Sequence, residues 1–137
     1  DGRYGYEVRG LFYMMDTPTG TVEAYEYDGW SAHVSHSHTA AVIEEGVPDG
    51  MTLDAEGNLW VAQWGGGKVC CYAAESGRKI AEIVLPASNV SSCCFGGRDL
   101  DCLYITTATS PGEEGSGYLY QTKTGYRGRK SYCYQNK

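Results

Sequence analysis

The chain has 137 residues, enough for one ordinary domain, and its 42% hydrophobic and 20% charged residues are the balance of a globular protein rather than a disordered one. The formal net charge of −6 argues against nucleic acid and acidic membrane surfaces as partners, and favours cationic ones such as a metal ion. No run approaches the roughly 18 apolar residues of a membrane helix and no signal peptide is visible, so a cytoplasmic protein is expected. A start at Asp1 rather than methionine reads as a processed product or a stretch of a longer parent.

With 19 glycines, 12 tyrosines and recurrent β-branched residues, the composition points to an all-β chain with many turns. A short segment over 1–8 comes first, and "LFYMMD" (11–16) and "GTVEAYEYD" (20–28) read as the next strands. "HVSHSH" then gathers His33, His36 and His38 in what reads as a polar, solvated loop. A Zn²⁺ or Cu²⁺ clip there would lack a fourth ligand. "TAAVIEE" (39–45) is a further strand. "MTLDAEG" (51–57), "LWVAQW" (59–64), "GKVCCYAAESG" (67–77) and "KIAEIVLP" (79–86) repeat the pattern. Asp54-Ala55-Glu56-Gly57 and Glu75-Ser76-Gly77 look like hairpin turns closed by a glycine. Trp60 and Trp64 fall on one face of their strand and are expected in the core, Trp64 with the option of lining a channel mouth.

Gly65-Gly66-Gly67 has no helix or Lys-Ser/Thr after it, so it reads as a connecting loop and not a phosphate cradle. Asn89-Val90-Ser91 is a formal glycosylation sequon, taken as a coincidence within a loop. "SSCCFGG" (91–97), "LYITTA" (103–108), "GYLYQTKTG" (117–125) and "KSYCYQ" (130–135) complete a third copy. "RGRK" (127–130) is too short for a nucleic-acid patch in so acidic a chain. Six cysteines, two pairs of them vicinal, show no paired C-x-x-C spacing, and free thiols in a reducing compartment are expected.

Aligning "LFYMMD", "LWVAQW" and "LYITTA" gives spacings of 59 − 11 = 48 and 103 − 59 = 44. Four short strands per copy at this period is the signature of β-propeller blades. Three blades are expected, at about 1–45, 46–88 and 89–137. Propellers close with about four to eight blades, so three imply a complementary half-propeller, either the rest of a parent chain or a second subunit. With an offset of 48, Asp49-Gly50 in "VPDG" falls on Asp1-Gly2, while an offset of 44 puts Cys93-Cys94 at the same place in the third copy. Equivalent positions converge at a propeller's central channel. Asp1 and Asp49 are therefore candidate ligands of a hard cation, Ca²⁺, Mg²⁺ or Mn²⁺.

The stretches "VPDGMTLDAEGNLWVAQWGGGKVCCY", "SSCCFGGRDLDCLYITTA" and "FYMMDTPTGTVEAYEYD" closely resemble the SMP-30/gluconolactonase/luciferin-regenerating-enzyme family over essentially the whole chain. The resemblance implies the C-terminal half of a six-bladed propeller that holds one divalent cation at the top of its channel. Calcium is the commonest choice, with Zn²⁺, Mn²⁺ or Mg²⁺ as alternatives. Many such proteins hydrolyse sugar lactones, so a small-molecule lactone is the implied partner. On this resemblance Asp49 is a metal ligand and the general base, and Asp1 stands where the family usually has a ligand asparagine. The family's ligand glutamate, and the arginine, asparagine and glutamate that contact substrate, belong to the half absent from this sequence. A non-catalytic calcium-binding or scaffold propeller is the competing expectation.

Overall fold

The structure, a computed structural model, describes residues 9–131. Ten strands run through them: β1 Arg9–Asp16, β2 Thr21–Asp28, β3 His33–Val42, β4 Val47–Leu53, β5 Leu59–Trp64, β6 Lys68–Ala73, β7 Arg78–Val84, β8 Val90–Gly96, β9 Cys102–Thr107 and β10 Leu119–Lys123. A 3-10 turn at Thr17–Thr19 is the one helical element among the described residues. The strands form three antiparallel sheets of consecutive neighbours, β1-β2-β3, β4-β5-β6-β7 and β8-β9-β10. This is an arc of propeller blades. The segment expected over 1–8 and most of that over 130–135 lie outside the described residues, so only the middle blade shows all four strands.

The middle blade is sandwiched, and its sequence shows why. Strand β5 is apolar on both faces, and residues two apart share a face. Leu59 and Val61 pack against Val22, Ala24, Ala40 and Ala41 of the first blade. Trp60 and Ala62 face Val90, Cys93, Leu103 and Ile105 of the third. The vicinal cysteines divide in the same way, Cys70 into the first core and Cys71 into the second. All five described cysteines are free thiols. Burial pushes the Cys71 and Cys93 thiols up to about 12, which leaves them inert.

Two details of the strand assignments differ from the sequence reading. In the hairpins, Asp16 pairs with Thr21 as Gln63 pairs with Lys68, so β1 and β5 are equivalent at an offset of 63 − 16 = 47, not 48. A slip of one residue exchanges the faces of a strand. Accordingly Tyr13 and Met15 pack on the core, while Phe12 and Met14 are exposed. The second correction concerns "HVSHSH", which is not a loop but the first six residues of β3. Residues 33–37 are exposed on both faces of the strand, which suits so polar a run. The histidines are solvated as expected, and His36 Nε2 lies 2.7 Å from Glu23 Oε2 on β2.

The turn at Asp54 ties the second and third blades together. Its buried carboxylate accepts from the backbone N–H of Glu56 and Asn58 at 2.9 Å, from Asn58 Nδ2 at 2.9 Å and from Trp60 Nε1 at 3.0 Å. The indole so held meets Phe95 and Tyr126 edge-on, at 5.7 and 5.3 Å between ring centroids. Ala55 N–H donates to Arg127 across the same seam.

Candidate functional site

Asp49 and Gly50 sit at a β-bulge near the start of β4. Pro48 pairs with Gln63 and Met51 with Val61, so the two residues between them oppose the single residue Ala62. A bulge of this kind bends the strand and re-aims a side chain. The dipeptide is therefore not a hairpin turn, and Gly50 is absent from the left-handed residues of the chain. What requires glycine is space. A Cβ on Gly50 would lie 2.2 Å from Ser92 Oγ and 2.7 Å from Ser92 Cα, so β4 and β8 approach more closely there than any side chain allows. From the other side, the Thr17 hydroxyl donates to the Pro48 carbonyl at 3.0 Å. Elements from all three blades thus converge on "PDG".

The third blade repeats the device with different chemistry. In β8, Val90 pairs with Thr107 and Ser92 with Thr106, which leaves Ser91 as the extra residue of a bulge. The structural counterpart of Asp49-Gly50 is therefore Ser91-Ser92, not Cys93-Cys94. The β8–β9 hairpin is two residues longer than β4–β5 (105 − 93 = 12 against 61 − 51 = 10), and an offset taken from β5 and β9 misplaces β8 by that amount. Ser91 Oγ is satisfied by Thr106 Oγ1 at 2.8 Å. Asp49 has an alanine methyl opposite it instead, and among the described residues no donor or cation pairs with its carboxylate. The group is half-buried, and that burial raises its pKa above the ordinary aspartate value.

Of the two candidate ligands, Asp49 is placed at the rim of the innermost strand, and Asp1 lies outside the described residues. Among the described residues no group of three or more His, Cys, Asp or Glu could hold a metal ion, the histidines of β3 included. Asp49 alone fits a hard cation in chemistry, as an oxygen donor with no protein partner. Sequence reasoning missed Ser91, Ser92 and Thr17, because their place at the rim depends on hairpin length and on contacts between blades. Trp60 is in the core as expected, while Trp64 at the end of β5 is 39% exposed.

An arc of antiparallel blades defines the class, a β-propeller fold, and the unpartnered Asp49 carboxylate stands on a bulge of its innermost strand. Residues 9–109 match the model of the family described as SMP-30/Gluconolactonase/LRE-like region, and the chain belongs to that family. It is 43% identical over 100 residues to regucalcin of Danio rerio, covering 72% of this chain and 34% of that protein. A candidate sugar lactone lactonase of Bacillus subtilis, YvrE, is 44% identical over 112 residues, covering 80% and 38%. Among solved structures, a luciferin-regenerating enzyme superposes with a TM-score of 0.79 at 30% identity, over 87% of this chain and 43% of that one. The chain thus spans well under half the length of these relatives.

Proposed function

We propose that the chain supplies part of the active site of a divalent-cation-dependent hydrolase acting on a sugar lactone or related ester. The observation that carries this reading is the Asp49 carboxylate, half-buried and unpartnered on a bulge where its structural counterpart Ser91 is satisfied. A carboxylate held without a donor is costly unless a ligand completes it. A cation, when bound, supplies Lewis-acid polarisation of the ester carbonyl. Asp49 can hold that ion through one oxygen and accept a proton from water at the other. Burial raises its pKa in the absence of the ion, and the charge of a bound cation opposes that rise. Support also comes from the names of the relatives, which include a lactonase and, for an Agrobacterium tumefaciens homologue of the same fold, a calcium-binding regucalcin. Calcium is the proposed ion, with Zn²⁺, Mn²⁺ or Mg²⁺ as alternatives, and Asp1 is its proposed second ligand. The remaining donors and the substrate contacts come from a complementary half-propeller, in the cytoplasm.

Calorimetric titration with Ca²⁺ tests the assignment. Asp49→Ala abolishes binding, and Asp1→Asn keeps it because an oxygen ligand remains. Unchanged affinity in Asp49→Ala refutes the site. The raised pKa adds a second readout with a definite sign. In the window above the ordinary aspartate value the folded state holds the Asp49 proton more firmly than the unfolded chain, so Asp49 lowers stability as pH rises through it. Asp49→Asn should remove that fall and melt higher than the wild type at pH 7.

A non-catalytic ion-binding propeller is the second reading, which the same unpartnered Asp49 carboxylate serves. Hydrolysis on reconstitution with the complementary half separates the two: binding without turnover selects the second.

A further inference from the structure

On the reading that this rim takes a sugar lactone, we infer that Trp64 is the platform on which the sugar ring stacks, and so sets the preference for cyclic sugar esters over acyclic ones. Trp64 shares its face of β5 with Trp60 and Ala62, which are 1% and 0% exposed, yet it stands 39% exposed itself. It pairs with Val47, two residues before Asp49 and ahead of the bulge. Asp49 lies within the bulge opposite Ala62, so Trp64 and Asp49 belong to the same end of the β4–β5 pair. The backbone of Trp64 also bridges to Asn89, just before β8, so this end of β5 lies against the third blade.

The equivalent rim positions of the other blades are small. The residues following Asp16 and Thr107, the counterparts of Gln63, are Thr17 and Ala108. Neither can stack on a ligand, so of these three equivalent positions only Trp64 carries a large flat side chain. Small-molecule sites take this form, an apolar or aromatic wall with a few placed polar groups. The electron-rich face of an indole attracts the polarised C–H bonds on the apolar side of a sugar ring, whereas the hydroxyls point outward to polar partners. An acyclic ester offers no such face.

The probe is anhydroglucitol, a six-membered sugar ring without the ester carbonyl, titrated calorimetrically in the presence of Ca²⁺ into the chain reconstituted with its complementary half. Trp64→Ala should weaken binding about tenfold and Trp64→Phe by no more than about threefold, because phenylalanine keeps a smaller stacking face. Circular dichroism of both variants confirms the fold. Absent binding by the wild type, or the same affinity in Trp64→Ala, overturns the inference. Gluconolactone hydrolysis by Asp49→Asn, measured in parallel with the complementary half added, reports on the catalytic reading alone. Retained turnover there removes the base assignment and leaves the ring-binding result to stand or fall by itself.

Discussion

Substituting Gly50 by alanine perturbs the point where the site is built. The added methyl would stand 2.2, 2.6 and 2.7 Å from Ser92 Oγ, Cβ and Cα, where ordinary contact begins at 3.4 Å. Rotation of the serine relieves the first contact, but the Cα belongs to the backbone of β8. Restoring that contact alone requires the strands to part by about 0.7 Å (3.4 − 2.7). Overpacking of this kind costs about 1–3 kcal/mol, and a backbone obstacle puts Gly50→Ala near 3. At about 4 °C per kcal/mol for a domain of this size, Tm should fall by about 12 °C in thermal unfolding followed by circular dichroism. The double variant Gly50→Ala/Ser92→Gly removes the Oγ and Cβ contacts and leaves the one to Cα. It should recover part of the loss and not all of it, a coupling that a double-mutant cycle reads directly. A fall of under about 2 °C in Gly50→Ala, or the same fall with and without the Ser92 side chain, would show that the strands do not meet there.

Asp54→Ala should cost about 3–5 kcal/mol, because it strips partners from the Trp60 indole and two turn amides at once, and denaturant unfolding measures it. Asp54→Asn should cost less, since one oxygen still accepts. Of the described cysteines, exposed Cys94 should react first with a thiol reagent in the native protein, while Cys70, Cys71 and Cys93 should react only on unfolding. Labelling of Cys71 as fast as Cys94 would contradict the closed seams between blades.

What the sequence determined by itself were the blades. Strand period, turn residues and the repeat of about 46 residues are local properties, and "LWVAQW" announces burial on both faces because it contains no polar alternation. That "VPDG" stands just before a core strand was legible too, and its resemblance to a family motif made Asp49 a candidate. Register was not. "LFYMMD" and "LWVAQW" are near-continuous apolar runs without alternation, so an alignment by apolar content is satisfied equally by offsets of 47 and 48, and only the hairpin pairing shows that Tyr13, not Phe12, faces the core. The match of Asp49 to Ser91 depended on a hairpin two residues longer in the third blade, which composition does not record. "HVSHSH" read as a loop because its polarity was visible and its hydrogen-bonded partner β2 was not. The close approach of Gly50 to Ser92, the isolation of the Asp49 carboxylate and the exposure of Trp64 are relations between blades. They exist only once the sheets pack, because each depends on what stands opposite a residue far along the chain.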